Sequence, residues 1–138
     1  MSPKAFIDSS AWIAYYFSDE PGHIRVKNII KNFIKENLII ATSNDVIDET
    51  VTLLIYAKPK LATKFIEFIK KNILANTITQ LWVDEQIQSE AFEIVEKFAE
   101  HQLSLTDATT IALVRKFDIE SVISLDSDFK KVGISTLP

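Results

Sequence analysis

The stretch Ala5-Phe6-Ile7-Asp8-Ser9-Ser10 is an apolar run that ends in a carboxylate followed by two hydroxyls. Strands covered by helices on both faces are continuous apolar runs, so Ala5 to Ile7 predicts the end of a buried strand. Asp8 then lies at the carboxyl end of that strand, which is the edge where open α/β sheets bind ligands. The stretch therefore predicts an α/β protein with an acid placed for chemistry.

Length and composition indicate an ordinary folded domain. The chain has 138 residues, of which 47% are hydrophobic and 25% charged, so we expect one domain spanning residues 1–138 around one core. Its longest N-terminal apolar run, Ala11 to Phe17, is far too short for a membrane span or a secretory signal. We expect a soluble, cytoplasmic protein that does not associate with membranes.

Several kinds of chemistry are excluded by residues that the chain lacks. It has no cysteine and only two glycines, so thiol nucleophiles, thiolate zinc sites and glycine-rich phosphate loops cannot be built. The two histidines, His23 and His101, have no motif around them, and we expect them at the surface. Any bound metal must then be held mainly by oxygen, which favours Mg²⁺ or Mn²⁺.

Strand and helix patterns alternate along most of the chain. Apolar runs predict further strands, and one-sided apolar spacing predicts the helices between them, with Ser9 or Ser10 capping the first. We therefore expect a three-layer α/β/α sandwich with a mainly parallel central sheet, and an extra helical pair between residues 10 and 75. The predicted later strands are Leu38–Ala41, Thr79–Val83, Ser121–Leu125 and Ile134–Thr136.

Four acids are expected to meet at one edge of this sheet. Right-handed crossovers bring the carboxyl ends of parallel strands together with the starts of the following helices. Because such acids repel one another, a buried cluster of them requires cations. Two divalent ions roughly 3.5–4 Å apart can activate water and clamp the oxygens of a phosphodiester. The four candidates for catalysis and metal binding are Asp8, Glu49, Asp107 and Asp126.

Each of these acids also has a purely structural interpretation. Asp107 follows a serine at the spacing of a capping box, and Asp8 is placed to cap a helix. Glu49 fits a solvated helix charge, whereas Asp126 and Asp128 fit a turn. Asp126 is preferred over Asp128 as the fourth acid because it directly follows the predicted strand.

The charge pattern leaves the mode of nucleic-acid binding open. A net charge of −4 argues against a generally basic surface, but it does not exclude local basic patches. The candidates form two clusters: Lys58, Lys60, Lys64, Lys70 and Lys71, and Arg115, Lys116, Lys130 and Lys131.

Taken together, four short motifs resemble the PIN domain, the fold of metal-dependent ribonucleases that includes the VapC-like toxins of type II toxin–antitoxin pairs. The resemblance spans Lys4 to Thr136. The motifs are Phe6–Ser10, Ala41-Thr42-Ser43 with Glu49, Leu103–Ala108, and Ile123–Phe129.

The resemblance implies roles for seven residues. The acidic site would comprise Asp8, Glu49, Asp107 and Asp126, with Asp8 and Asp107 foremost as direct metal ligands. Ser10 and Thr106 would orient carboxylates or water. Asp128 would share with Asp126 the role of the fourth acid. The family also implies a homodimer whose two clefts face a common groove, and an antitoxin whose tail covers that groove.

The resulting hypothesis is a Mg²⁺- or Mn²⁺-dependent endoribonuclease that acts as the toxin of a toxin–antitoxin pair. One alternative is another metal-dependent phosphoesterase. A haloacid-dehalogenase-type enzyme would need a second acid two residues after its nucleophilic aspartate, where this chain has Ser10. The other alternative is a non-enzymatic module that keeps the fold for RNA binding or dimerisation.

Overall fold

A five-stranded sheet runs through the centre of the molecule, for which a computed structural model describes residues 2–138. Its spatial order is β3-β2-β1-β4-β5, and every strand pairing is parallel. The prediction of a parallel sheet is thus confirmed. The strands are β1 (Ala5–Ile7), β2 (Ile40–Ser43), β3 (Ile78–Leu81), β4 (Ser121–Ile123) and β5 (Thr136–Leu137).

Helices cover both faces of the sheet, as the α/β/α prediction requires. Right-handed crossovers place α1 to α4 on one face and α5 to α7 on the other, which agrees with the packing of α1 against α2 and α3, α3 against α4, and α5 against α6. The bounds are α1 (Ser9–Tyr16), α2 (His23–Lys35), α3 (Asn44–Ala57), α4 (Pro59–Leu74), α5 (Glu85–Lys97), α6 (Leu105–Lys116) and α7 (Asp128–Lys131), with a 3₁₀ turn at Ala99–His101. Within residues 2–138, no helix combines the length and apolar character needed to cross a membrane.

The core holds β1 and α1 in place from both sides. All of β1 is buried, and Trp12 of α1 is buried against Phe65 of α4, with ring centroids 5.5 Å apart. The indole Nε1–H of Trp12 donates to the Thr42 hydroxyl at 3.2 Å, which satisfies the polar end of this large side chain. Because β1 and α1 are anchored in this way, the residues between them, Asp8 above all, have little freedom to move.

For each of the four later strands, at least one predicted bound was wrong by one or two residues. β2 starts at Ile40 instead of Leu38, since the Leu38 N–H still closes the end of α2 by donating to the Phe33 carbonyl. It continues to Ser43 although its last residues are polar, because the buried Thr42 hydroxyl donates to the Ile7 carbonyl. The strands β3 and β5 are displaced by one and two residues at their starts.

The fourth strand ends at Ile123, two residues before the predicted end at Leu125. The Leu125 N–H donates to the Ser10 hydroxyl at 3.0 Å instead of to a strand carbonyl. Asp126 therefore does not directly follow the strand, and the reason given for preferring it over Asp128 was wrong.

Candidate active site

The segments that follow three neighbouring strands begin at the carboxyl edge of the sheet. β2, β1 and β4 are adjacent and parallel, so Asn44, Asp8 and Ser124, which follow them, lie along one edge. Asp8 also donates its backbone N–H to the Ile123 carbonyl at 3.1 Å, which places it beside the end of β4. This is the edge where the sequence predicts a site.

Asp8 is buried at this edge, and only one of its two carboxylate oxygens is hydrogen-bonded. Its Oδ2 accepts from the Ser10 hydroxyl at 3.1 Å and from the Ser124 hydroxyl at 2.9 Å. Its Oδ1 is buried with no hydrogen-bond partner among residues 2–138. Although Asp8 occupies the N-cap position of α1, its side chain makes no capping bond. Ser9 and Ser10 lie inside the helix, so the prediction that either caps it was wrong.

Ser124 was missed by the sequence analysis, yet it joins Asp8 to the loop that carries Asp126. The Ser124 hydroxyl donates to Asp8 and accepts from the Asp126 N–H at 3.0 Å. It also lies 3.1 Å from the hydroxyl of Ser10. The available signal was a serine inside an otherwise apolar strand motif, at a position where a buried hydroxyl needs a partner.

Glu49 faces the site from α3, whereas its neighbour Asp48 is exposed. The Ser9 hydroxyl donates to Glu49 Oε1, so this carboxylate is held from the same turn that carries Asp8. Asp45 lies one turn earlier on the same face of α3, and the sequence analysis did not find it. Its spacing of four residues from Glu49 was the signal.

Asp107 makes the structural contacts that its capping-box spacing predicts. Its N–H donates to the Ser104 hydroxyl at 3.0 Å, and its Oδ2 accepts from the Ser104 N–H at 3.4 Å. An ionised carboxylate has about four acceptor positions, so one long bond leaves most of them free for other partners. Thr106, in the same turn, accepts a hydrogen bond from the Thr109 hydroxyl through its backbone carbonyl.

Three aspartates come close together beside Asp8. One carboxylate oxygen from each of Asp107, Asp126 and Asp128 lies within 4.8 Å of the others. The turn interpretation of the last two also has support, since the Asp128 N–H donates to Asp126 Oδ1 at 2.9 Å. Lys131 pairs with Asp128 at 3.2 Å. Both aspartates therefore belong to this group.

Burial and the charges of neighbouring acids raise the pKa values of Asp8, Asp45 and Asp107. The pKa of Asp107 rises to about 6, mainly through burial and then through the charges of Asp8 and Asp126. Burial likewise raises the pKa of Asp8, against the lowering effect of hydrogen bonds from Ser124, the Ser9 backbone and Ser10. The pKa of Asp45 is raised by burial and by nearby acids of α3. The carboxylates are thus near enough to repel one another.

The donor atoms fit a hard divalent cation. Every candidate ligand is a carboxylate oxygen, and the buried Asp8 Oδ1 lacks the partner that a buried polar atom normally has. A cation there would also remove the repulsion that raises the pKa values. The site therefore combines an acidic cluster with oxygen ligands suited to a positive charge.

The fold and this acidic edge define a class: parallel α/β proteins with carboxylates gathered at the carboxyl ends of the strands. Residues 5–135 match the family model of the PIN domain. The chain therefore belongs to the PIN domain family, which confirms the resemblance seen in its motifs.

Similar proteins agree with this assignment. The chain is 27% identical over 128 residues, 93% of each chain, to the 23S rRNA-specific endonuclease VapC20 of Mycobacterium tuberculosis. The crystal structure of that VapC20, described as a sarcin–ricin loop cleaving toxin, has a TM-score of 0.81 and 26% identity, covering 97% of this chain and 99% of the other.

Two further structures share the fold. A toxin–antitoxin complex from Klebsiella pneumoniae has a TM-score of 0.64 at 16% identity. FitAcB from Neisseria gonorrhoeae has a TM-score of 0.65 at 18% identity. Both alignments cover 97% of this chain and 96% of the other.

Proposed function

We propose that this protein is a divalent-metal-dependent endoribonuclease. The observation that carries the proposal is the buried Asp8 carboxylate, whose unpartnered Oδ1 lies beside repelling acids at the carboxyl edge of the sheet. The similarity to an rRNA endonuclease over nearly the whole chain supports RNA as the substrate.

We assign the metal, Mg²⁺ or Mn²⁺, to the carboxylates of Asp8, Glu49, Asp107 and Asp126. When bound, the ion supplies Lewis-acid stabilisation of the phosphoryl oxygens and acidifies a water molecule. The protein's own part is to hold the carboxylates in place. Ser10 and Ser124 orient Asp8, and Ser9 orients Glu49.

Two further residues complete the assignment from the sequence. Asp128 lies close enough to Asp107 and Asp126 to share the role of the last acid. Thr106, in the first turn of α6 beside Asp107, is placed to orient a carboxylate or water through its hydroxyl. We take water as the attacking nucleophile, which fits a chain with neither a cysteine nor a nucleophile-elbow glycine motif.

The first experiment is an RNA cleavage assay with two substrates: total RNA, and a synthetic hairpin that carries the sarcin–ricin loop. We expect cleavage in Mn²⁺ or Mg²⁺, none in excess EDTA, and recovery when Mn²⁺ is added back. Cleavage that persists in EDTA, or inactivity on both RNAs in either metal, would overturn the proposal. Hydrolysis of p-nitrophenyl phosphate without RNA cleavage would instead identify a small-molecule phosphoesterase.

Ser124→Ala is expected to lower Mn²⁺ affinity and cleavage by about 10- to 100-fold, the usual effect of removing a group that orients a metal ligand. The change removes the hydroxyl that joins Asp8 to the Asp126 N–H. Calorimetric Mn²⁺ titration and kcat/KM on the hairpin measure the two effects. Ser124→Thr, which keeps the hydroxyl, is the control. If the alanine variant binds Mn²⁺ like the wild type, Ser124 has no orienting role.

A basic groove at the ends of α1 and α3 supports binding of the RNA backbone. It has a volume of about 740 Å³ and is lined by Tyr16, Lys58, Lys60 and Lys64 among others. Lys58 lies over the ring of Phe17, with its Nζ 5.1 Å from the centroid. Within residues 2–138 none of the three lysines forms an ion pair, so their charges are free for phosphates.

Replacing these three lysines with alanine is expected to weaken RNA binding and its dependence on salt. Removal of one lysine–phosphate interaction lowers the slope of log K against log salt by about 0.7 for single-stranded RNA. Fluorescence anisotropy in a series from about 50 to about 300 mM KCl gives the slope. An unchanged slope would show that the groove does not bind the RNA backbone. The matched control is the triple alanine variant of Lys27, Lys31 and Lys35 on α2.

We further propose that the protein is the toxin of a toxin–antitoxin pair, that it is a homodimer, and that it acts in the cytoplasm. The toxin description of the VapC20 structure supports the first part. The second is supported by large apolar side chains exposed near the end of α3, where Leu53, Ile55 and Tyr56 are at least half exposed. Sedimentation of the wild type and of Tyr56→Glu tests the dimer, since a charge in that interface would produce monomers. Monomeric wild-type protein would contradict it.

A further inference from the structure

A small cavity adjoins the acidic cluster on the side of β4 and β5. Its volume is about 200 Å³, which is below the usual range of sites for whole small molecules, about 300–1,000 Å³, but sufficient for one phosphate group with a few waters. It lies between the first turn of α2, the loop after β4 and the last strand. The lining includes Arg25, Asp126, Ser127, Lys130 and Thr136.

We propose that this cavity binds a phosphate of the RNA backbone adjacent to the phosphate that is cleaved. The inference rests on the proposed ribonuclease function and names two positioning residues, Arg25 and Lys130, that the family motifs do not include. Its chemistry is that of a phosphodiester oxyanion held by a guanidinium and an ammonium group.

The charges of the cavity favour an anion. Arg25 and Lys130 are both exposed, and neither forms an ion pair within the described part of the chain, residues 2–138. A guanidinium can donate two parallel hydrogen bonds to one phosphate, and Lys adds a point charge. Asp126 contributes the one acidic side chain among the lining residues, and a cation at the neighbouring carboxylates would offset its charge.

An unpartnered hydroxyl points to the same ligand chemistry. The Oγ1 of Thr136 is buried without a hydrogen-bond partner among the described residues, and Thr136 lines this cavity. Buried hydroxyls usually have a partner, so an unpaired hydroxyl in a residue of this cavity is an available donor for a phosphate oxygen.

Position links the cavity to the reaction. Asp126 belongs both to the wall of the cavity and to the three-aspartate group. A backbone phosphate in the cavity would therefore set the register of the strand relative to the acids. Other basic residues are less well placed: Arg115 shares its cavity with Glu90 and Glu93, and it lies at the opposite end of α6 from Asp107.

The test couples a change in the protein to a change in the RNA. Arg25→Ala/Lys130→Ala is compared with Arg115→Ala/Lys116→Ala, which removes one arginine and one lysine away from the site. The substrates are the cleavable hairpin and versions with a single neutral methylphosphonate at each linkage around the cleavage point. We expect kcat/KM for the first variant to fall by about 10- to 100-fold, as for loss of charged hydrogen bonds, and the control to stay near wild type.

The decisive result is that the losses caused by the protein change and by the RNA change do not add up. One methylphosphonate should lower kcat/KM of the wild type by a similar factor and cause no further loss in Arg25→Ala/Lys130→Ala. In binding assays, the salt slope of the same variant should fall by about 0.7, the value for one phosphate. Additive losses at every linkage, or an unchanged salt slope, would overturn the subsite. Inactivity of the wild type on all RNAs would instead overturn the proposed function, so the two failures are distinguishable.

Discussion

Asp8→Asn is expected to lower RNA cleavage by at least about 10³-fold and to leave the fold intact. A bound metal contributes several kcal/mol of transition-state stabilisation, and about 4 kcal/mol corresponds to a factor of 10³. Asparagine keeps the shape and one acceptor oxygen, so the bonds from Ser10 and Ser124 can persist. Its amide nitrogen replaces the unpartnered Oδ1 and cannot bind a cation. The measurement is kcat/KM on the hairpin in Mn²⁺, together with circular dichroism and Tm.

The control for this prediction is Asp48→Asn, which removes one negative charge from an exposed position of α3. Its activity should equal that of the wild type. Calorimetry adds a readout that does not depend on cleavage, because Mn²⁺ binding should disappear only in Asp8→Asn. If Asp8→Asn retains wild-type cleavage with an intact fold, the acid does not carry the reaction.

Asp107→Asn is expected to abolish cleavage and to raise the Tm of the metal-free protein at pH 7.5. In the folded protein the pKa of Asp107 is about 6, raised from its ordinary value of 3.8. Protonation of this group therefore favours the folded state: its contribution is complete below the unfolded value and is lost as pH rises through about 6. The metal-free wild type should melt higher at pH 5 than at pH 7.5. Asparagine, which stays neutral, should flatten this dependence.

The raised pKa values of Asp8 and Asp45 also make the metal-free protein less stable as pH rises. Asp107→Asn should therefore reduce the pH dependence of the Tm without removing it. Mn²⁺ should raise the Tm of the wild type at pH 7.5, because a ligand that binds only the folded state stabilises it. That increase should vanish below about pH 6, where Asp107 takes up a proton, and at every pH in the variant. Asp19→Asn, in the exposed loop before α2, is the control. A metal-free wild type that melts lower at pH 5 would contradict the assignment.

The order of elements was readable from the sequence because hydrophobic periodicity is a local property. The apolar run Ala5 to Ile7 and the amphipathic spacing of α2 each appear within one element. Asp84 caps α5 for an equally local reason, since its side chain accepts from the Ile87 N–H, three residues later, at 3.0 Å. The ends of the strands could be predicted less well, because a strand ends where its hydrogen bonds to the neighbouring strand end.

The sequence by itself determined the parallel α/β architecture and the expectation that any metal is held by oxygen, since both follow from which residues are present and how apolar ones recur. Only the tertiary structure decided that Ser124 bonds to Asp8 and that Arg25 shares a cavity with Asp126. The physical reason is that hydrogen bonds and charge repulsion act over a few ångströms in space. Residues more than a hundred positions apart come within that range only when the sheet brings β1 and β4 together.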